Sequence, residues 1–423
     1  MLNVNFRVRA ASLYIVIVVA LVIALLCEAM ITTAFYYRSY HLKSKRYSQL
    51  KRDAYSGINL LLTEKEGIYY ESKPVELFPG QPDSLQVTLR FWGGFDIGTS
   101  AAHVNKDSVA KTFFIGAQID SSKWAAIYLA DEDRPLSLTG KTAIRGDVYL
   151  PKSGIRAAYM NGKGYEGSAE LINGHHYNSS PDLPGPDKAR LSLINAGFNG
   201  TSANADIFAG DSLHQSFFTP VKQFHFAGQV TLRKMSLSGN IIVRCDSTIR
   251  IDSTVRLDNV IIFAKAIVIA DGFKGRCQLF ARDSVSIGNR VELSYPSMVA
   301  VVRKSAEQSA QQGIITFGNK NRFYGAAMIA EDVPGAYKPV IRLGKNMEYS
   351  GQLYASIISL GDHSVIHGSI FCKRFLYRSE ASIYENFLVD VNIDQAALSR
   401  FYCCPFVMPA ALNGKKKIVQ WVN

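Results

Sequence analysis

The sequence lacks the short motifs that identify several common classes of enzyme. It has no Gly-x-Ser-x-Gly and no P-loop, so neither an α/β-hydrolase nor a P-loop nucleotide hydrolase is expected. Its six cysteines include no Cys-x-x-Cys pair, which removes the usual spacing of a zinc or redox site. We therefore predict a non-enzymatic protein with no catalytic, cofactor-binding or metal-binding residues and no cofactor.

The charge pattern does not favour nucleic acid as a partner. The net charge is +12, but six Lys and Arg residues lie together in 38–52 and the rest are scattered, apart from Lys415, Lys416 and Lys417. Known nucleic-acid-binding motifs are absent. The basic run in 38–52 is compatible with an anionic lipid surface or with a simple solvated helix face.

A repeated pattern in the C-terminal half is the strongest positive signal: apolar, any residue, apolar, then a turn. Six copies start 18, 18, 30, 26 and 17 residues apart, and polar insertions in 303–313 and 331–338 account for the longer gaps. The alternation indicates strands, and about 18 residues fit one coil of a parallel β-helix. An antiparallel sandwich is the alternative. Six residues are predicted to point inward in one column: Ile251, Ile269, Ile287, Phe317, Leu343 and Leu360.

The same pattern helps to divide the chain. Val230-Thr-Leu232 fits as a further coil, and 136–150 contains the same pattern of alternating apolar residues. By contrast, 151–220 is rich in Gly, Asn, Ser and Pro and is interpreted as a long insertion that leaves the solenoid. The predicted parts are as follows: 1–63, membrane anchor and extended helix; 64–135, β-rich; 136–229, a partial coil with a long insertion; 230–390, parallel β-helix; 391–423, C-terminal tail.

The N-terminus contains a long apolar segment. Leu13 to Cys27 is fifteen apolar residues without a break, and after Glu28 the segment continues to Tyr37. The 25 residues of 13–37 suffice to cross a bilayer as a helix. A cleaved signal peptide is the alternative, but no small-x-small cleavage site follows the segment. We predict a retained, single membrane span.

The helix is predicted to continue beyond the membrane. Residues 38–62 contain no Pro and a single Gly, Gly57. Five apolar residues fall near helical spacing, with the basic residues mostly elsewhere on the helix. One helix of about 50 residues is expected to end by packing these positions on the folded domain: Tyr47, Leu50, Ala54, Ile58 and Leu61.

The N-terminal plan resembles that of type IV pilin-like proteins, in particular minor pilins and pseudopilins. A short basic head with Arg7 and Arg9 precedes an Ala- and Val-rich helix, and a β-rich domain follows. The chain departs from that pattern where Ala10 or Ala11 replaces the usual Gly, and Glu28 lies too deep to match the usual Glu. The repeat region separately resembles bactofilin-like polymer-forming β-helices in period and composition.

The pilin-like resemblance implies a place in the envelope and a set of partners. It implies a single-pass protein of the inner (cytoplasmic) membrane with its large domain in the periplasm, in contact with membrane lipid and with other pilin-like or secretion subunits or copies of itself. The positive-inside rule alone implies the opposite orientation, since six Lys and Arg follow the apolar segment and two precede it.

Candidates for chemistry are few. His175 and His176 lie in a Gly- and Asn-rich stretch, where a solvated loop is expected. A β-helix lyase or hydrolase needs charged residues gathered in one cleft. Arg250 and Arg342 occupy outward positions and could hold a sugar acid or be ordinary surface residues. The acids of the repeats mostly follow strands, where chain turning explains them: Asp246, Asp252, Asp258, Asp271, Asp283 and Glu292.

These observations predict a mainly β protein with a transmembrane helix extended into a long α-helix. Its expected function is that of a membrane-anchored structural or assembly component of a pilus-like or type II secretion-like surface machinery. The alternatives are a polysaccharide-processing enzyme on a β-helix and a cell-surface adhesin that binds glycan or protein along the solenoid.

Overall fold

The computed structural model describes residues 8–65, 68–78, 84–120, 124–160, 162–200, 211–303, 312–332, 337–379, 382–409 and 411–422. Arg7 of the predicted basic head lies outside the described residues, as do 304–311 and 333–336 of the two predicted insertions. One compact unit comprises Met1–Gly57, Pro74–Gln86 and Ser100–Ala110, and the other comprises Ile58–Lys73, Val87–Thr99 and Lys111–Asn423. The fold is mainly β with one long N-terminal helix, as predicted.

The N-terminal helix α1 runs from Val8 to Thr63 without interruption. No proline breaks it, and its last turns carry a buried apolar stripe in which Leu50, Ala54, Ile58 and Leu61 are at most 2% exposed. The predicted stripe is therefore confirmed for these four residues. Tyr47 was predicted to share it and is instead 58% exposed, because burial of the helix begins only at the next turn.

The remaining elements are strands and one short helix. Their bounds, in chain order, are β1 Tyr70–Val75, β2 Ser84–Trp92, β3 Phe95–Val104, β4 Asp107–Ile119, β5 Ile127–Leu129, β6 Leu136–Thr139, β7 Ala143–Arg145, β8 Val148–Leu150, β9 Ile155–Ala157, β10 His176–Asn178, α2 Lys188–Gly197, β11 Ser212–Gln215, β12 Lys222–Phe226, β13 Val230–Leu232, β14 Ser236–Gly239, β15 Ile241–Ile251, β16 Arg256–Ile269, β17 Lys274–Ile287, β18 Glu292–Arg303, β19 Ile314–Phe317, β20 Arg322–Glu331, β21 Val340–Arg342, β22 Glu348–Ser359, β23 Val365–Arg378, β24 Ile383–Glu385, β25 Phe387–Val389, β26 Asn392–Asp394 and β27 Ala411–Val422.

These strands form three sheets. A five-stranded sheet has the order β1-β2-β3-β4-β27, and a three-stranded sheet has the order β25-β6-β9. The largest sheet is closed. Apart from the antiparallel pair β23–β24, its strands pair in parallel, from β8 and β10 at one end of the stack to β11, β12 and β13 at the other. Its interior is one continuous apolar core built from residues between Ala126 and Ile393.

The repeated segments occupy equivalent positions in this closed sheet. Ile251 pairs with Ile269, Ile269 with Ile287 and Ile287 with Phe317, always in parallel. All six residues of the predicted column are buried, at 6% exposure or less. Parallel register and inward orientation are therefore confirmed for this column, and the antiparallel alternative is wrong here. Val230-Thr-Leu232 joins the same series by pairing with Ile249-Arg-Ile251, as predicted.

A column of glycines lets consecutive turns of the chain approach one another closely. Gly325, Gly351 and Gly368 pair in register and have φ angles of +153°, +142° and +143°. A Cβ atom on Gly351 would lie 1.7 Å from the carbonyl oxygen of Gly325. Because only glycine adopts such φ angles readily and lacks a Cβ, this column is a steric requirement of the stack.

Side chains link the corners of successive turns. The backbone N–H of Asn289 donates to the carboxylate of Asp271, and that of Asn319 donates to the side-chain oxygen of Asn289, each at 2.8 Å. The backbone N–H of Lys345 continues the series by donating to Asn319. The Asn289 side chain also donates to Asp271, and these bonds lower the pKa of the Asp271 carboxyl.

The order of strands in space differs from their order in the chain. β5 pairs with β23 and β7 pairs with β26, so residues before α2 extend the sheet beyond the last repeats. β8 and β10 continue outward from β5. After α2 the chain forms β11 to β13 at the opposite end of the stack, and the repeats then lead back toward β5. Residues 136–178 are therefore additional members of the parallel stack.

Candidate functional site

The N-terminal part of α1 is an exposed apolar surface. Every side chain from Ser12 to Ser48 is exposed, although Leu13 to Phe35 are mostly apolar. The helix is long and apolar enough to cross a membrane, with a mean hydropathy of 2.9 in its most apolar window. The 25 residues of 13–37 span about 37 Å at 1.5 Å each, against a hydrocarbon core of about 30 Å. Such a surface calls for a lipid or protein environment.

Two polar side chains interrupt this apolar surface, with different consequences. The hydroxyl of Thr33 donates to the carbonyl oxygen of Ala29 at 2.7 Å, so the helix itself satisfies it. Glu28 is exposed on the same helix, and within the described part of the chain no hydrogen bond or ion pair joins its carboxylate to another residue. A carboxylate at this depth in a bilayer requires a partner or a proton.

An aromatic and basic segment follows the apolar one. Phe35, Tyr36, Tyr37 and Tyr40 are each between 68% and 75% exposed. Tyr is a residue type that is enriched where membrane-spanning helices meet water. Among the basic residues that follow, Arg46 pairs with Asp107 at 2.9 Å, with both side chains well exposed. An exposed pair of this kind contributes little to stability.

The end of α1 is held by close contact with strand residues of its own unit. The hydroxyl of Ser100 donates to the carbonyl oxygen of Ala54 at 2.8 Å. A Cβ atom on Gly57 would lie 2.3 Å from that hydroxyl and 3.1 Å from Leu85. The single glycine within 38–62 therefore stands where the helix packs most tightly, and Leu50 and Ala54 are buried rather than available to partners.

The histidine pair is not part of a metal site in the described residues. His176 begins β10 by pairing with Val148 of β8, so the predicted loop is wrong for the backbone of His176. His175 precedes the strand, and both side chains are exposed, as predicted. The Asp147 carboxylate accepts the backbone N–H of His175 and lies 3.0 Å from its ring Nδ1. These contacts lower the pKa of Asp147. Within the described residues, no three His, Cys, Asp or Glu side chains group as metal ligands.

The charged residues of the repeats are dispersed rather than gathered in a cleft. Arg250 and Arg342 lie in one outward row, but Val268, Ser286 and Thr316 occupy the positions between them. Four steps of about 4.8 Å place the two arginines roughly 19 Å apart along the stack. The acids are engaged singly with neighbours: Asp246 with His225, Asp252 with Thr254, Asp258 with Arg276, Asp271 with Asn289, Asp283 with Lys265, and Glu292 with Lys274.

The cysteines form no disulfide bond in this structure, and five of the six are buried. All six are free thiols, and Cys27 alone is exposed. Burial raises the pKa of both members of the vicinal pair, Cys403 and Cys404. The thiol of Cys404 donates to the side-chain oxygen of Gln352 at 2.8 Å. These thiols are therefore poor nucleophiles and serve packing.

Comparison with known proteins gives a distant structural similarity. No family model matches the chain. No curated protein matches it in sequence. Among solved structures, the crystal structure of the competence-associated pilin ComZ from Thermus thermophilus is similar over 83% of this chain and 86% of that one, with 10% identity and a TM-score of 0.27.

Proposed function

We propose that this chain is a membrane-anchored, non-enzymatic assembly component of a pilus-like or secretion-like surface machinery. The observation that carries the proposal is α1, a helix whose side chains from Ser12 to Ser48 are exposed and whose last turns carry a buried apolar stripe. In this proposal residues 13–37 are a retained membrane anchor. The exposed helix surface meets lipid and the helices of pilin-like subunits, secretion subunits or further copies of this chain.

The parallel sheet is, in the same proposal, a β-helix that supplies a rigid and extended contact surface. Support comes from the register, in which each turn of about 18 residues pairs with the turns before and after it. The continuous apolar core is shared by neighbouring turns, so the turns stabilise one another. Such a body suits a subunit that must hold fixed contacts with several neighbours.

We place the large domain on the periplasmic side of the inner membrane. In this arrangement the aromatic residues Phe35 to Tyr40 lie at the outer interface, and the basic residues of 38–52 lie above it. The positive-inside rule, applied to the same residues, gives the opposite orientation. Alkaline phosphatase fused after Asn423 decides between the two, because the fusion is active only if the domain is exported.

The partner helix is tested through Glu28. We expect a neighbouring subunit to offer a cation or an amide to this carboxylate inside the membrane. The full-length protein, solubilised in detergent, is used as bait, and the variants Glu28→Ala and Glu28→Gln are compared with Thr33→Ala. Thr33 bonds within its own helix, so Thr33→Ala changes a polar side chain in the same apolar segment without removing a charge.

The expected result is recovery of pilin-like or secretion subunits with the native chain and with Thr33→Ala, but much less with Glu28→Ala. If native bait recovers only itself, self-assembly is the supported form of the proposal. A protein recovered alone that depolymerises an acidic polysaccharide would overturn it in favour of the enzymatic alternative.

A further inference from the structure

A groove of about 460 Å³ lies on the outer side of the parallel sheet. Strands β20, β22 and β23 form one wall, and the Pro- and Gly-rich segment before α2, with the first turn of that helix, forms the other. This volume falls within the range of ~300–1,000 Å³ typical of small-molecule sites. β20 pairs with β18 as far as Glu331 but with β22 only as far as Met328, so the strand edge open to the groove is limited to the three residues Ile329–Glu331, and the rest of the lining is side chains.

Tyr354 is a buried residue that lines the groove, and its side-chain hydroxyl has no hydrogen-bond partner among the described residues. Its side chain is only 9% exposed, and its ring lies 6.5 Å from that of Phe371. Within the described chain no residue forms a hydrogen bond with its hydroxyl. Burial raises the pKa of Tyr354 to about 12, so the phenol stays protonated at neutral pH and can both donate and accept. The hydroxyl oxygen itself is not fully buried, so it can bond to a polar group in the groove.

The charges around the groove balance. Lys188, Lys338 and Lys373 face Asp182, Glu331 and Asp332. Most are already paired: Lys373 with Asp182 at 3.3 Å, Glu331 with Arg303 at 3.2 Å, and Lys338 with Glu132 at 3.7 Å. An ion would gain little from such a lining, because the charges of opposite sign largely cancel. A neutral molecule with many hydroxyls can use both the ammonium donors and the carboxylate acceptors.

The second wall is fixed in place. Asp187 caps α2 by accepting the backbone N–H of Arg190 at 2.6 Å, and its own backbone N–H donates to the carbonyl oxygen of Val407 at 3.1 Å, which attaches this end of the helix to the C-terminal segment. At the far end of the helix, Arg244 donates to the carbonyl oxygen of Gly197, and Arg282 donates to Asn195. Because both ends of α2 are anchored, the groove has a set width. Apolar surface that suits the C–H faces of a sugar comes from Leu183, Pro186, Leu191, Ile329 and Pro339.

We propose that this groove binds a short stretch of a neutral oligosaccharide, with the hydroxyl of Tyr354 bonded to a sugar hydroxyl. A peptide would compete for the same donors and acceptors. It is the less favoured occupant, because peptides bind sheets mainly by adding a strand to a free edge. The free edge here is only three residues long, Ile329–Glu331, against about five to six residues in a usual strand. The proposal does not depend on the assembly role, since none of the residues that line the groove belongs to α1.

The experiment uses the full-length protein in a zwitterionic detergent without a sugar headgroup. Saturation-transfer NMR is recorded with cellotriose, maltotriose, tri-N-acetylchitotriose, trigalacturonate and tetra-alanine as separate probes. Tyr354→Phe keeps the ring and removes the hydroxyl. Tyr324→Phe is the matched control, because its hydroxyl bonds to Glu348 and it does not line the groove.

We expect transfer to at least one neutral trisaccharide, with about three- to tenfold weaker binding in Tyr354→Phe, as for the loss of one hydrogen bond. Tyr324→Phe should bind like the native chain. The proposal is overturned if no neutral trisaccharide binds, if trigalacturonate or tetra-alanine binds more tightly, or if Tyr354→Phe binds as well as the native protein at an unchanged melting temperature. A failed pull-down of assembly partners leaves these outcomes unaffected.

Discussion

Replacing Gly351 by alanine is the sharpest test of the stacked arrangement. The residue has a φ of +142°, where an L-residue is strained by about 1–3 kcal/mol. The new Cβ would also lie 1.7 Å from the carbonyl oxygen of Gly325, far inside van der Waals contact. Relief requires the two turns to separate, and overpacking of this kind costs about 1–3 kcal/mol more. The expected loss is therefore about 2–6 kcal/mol.

The matched control is Gly272→Ala. Gly272 has a φ of +75°, but a Cβ there would meet no atom within 4 Å. It should suffer only the conformational strain of about 1–2 kcal/mol. The difference between the two variants isolates the close approach of Gly351 to the preceding turn.

The measurement is thermal unfolding of full-length protein in detergent, followed by the strand signal in circular dichroism. For a domain of this size, each kcal/mol lowers the melting temperature by about 2–4 °C, so a 4 kcal/mol loss predicts a fall of about 8–16 °C. Hydrogen exchange should show the lost protection first in β20, β22 and β23. Equal melting temperatures for Gly351→Ala and Gly272→Ala would refute the argument that glycine is needed for the turns to stack.

Three further results are expected. Ile287→Asp places an unpaired carboxylate in the core and should lower the free energy of unfolding by more than about 4 kcal/mol. Ser286→Asp, one residue away and exposed, should leave the melting temperature nearly unchanged. Similar effects of the two substitutions would contradict the assignment of Ile287 as inward and Ser286 as outward. Alkaline carbonate washing should leave the full-length protein in the membrane pellet, and release of a shortened soluble form would identify 13–37 as a signal peptide. The lowered pKa of Asp271 contributes stability above the unfolded value of about 3.9 that is lost as the pH falls through the folded value. Asp271→Asn keeps the acceptor for Asn289 and should therefore lose less stability than the native chain between pH 7 and pH 3, and identical losses would argue against this role.

The parallel stack was predictable because every turn must place apolar residues at the same positions in one shared core. Ile269 and Ile287 recur at a fixed interval since both must enter one core, and the glycines recur because the chain turns closely at the same place each time. The long helix was predictable for a similar reason, as its apolar run has no breaker. Tyr47 was assigned wrongly because periodicity shows which face is apolar but not where along the helix burial begins.

The strands β9 and β10, which lie beyond the repeat pattern recognised in 136–150, were harder to predict. They have only three residues each, and the surrounding glycines and asparagines are also typical of loops. His176 lies in a strand because β8 is beside it, which is a long-range fact that local composition does not contain. The groove has even less signal in the sequence: Asp182, Ile329 and Tyr354 lie far apart in the chain, and only the Pro- and Gly-rich segment marks its wall.

The permuted order of the strands has a consequence for synthesis. Ser369 of β23 donates to Ala125, which precedes it by 244 residues, and β5 pairs with the same strand. At a synthesis rate of about 5–20 residues per second, the first-made strands wait roughly 12–50 s for their partners. During that time β5, β7 and β8 present open edges and unburied apolar side chains. In a chain that ends prematurely before β23, these strands never gain their partners and stay exposed. We therefore expect a chaperone to be needed most at this early segment.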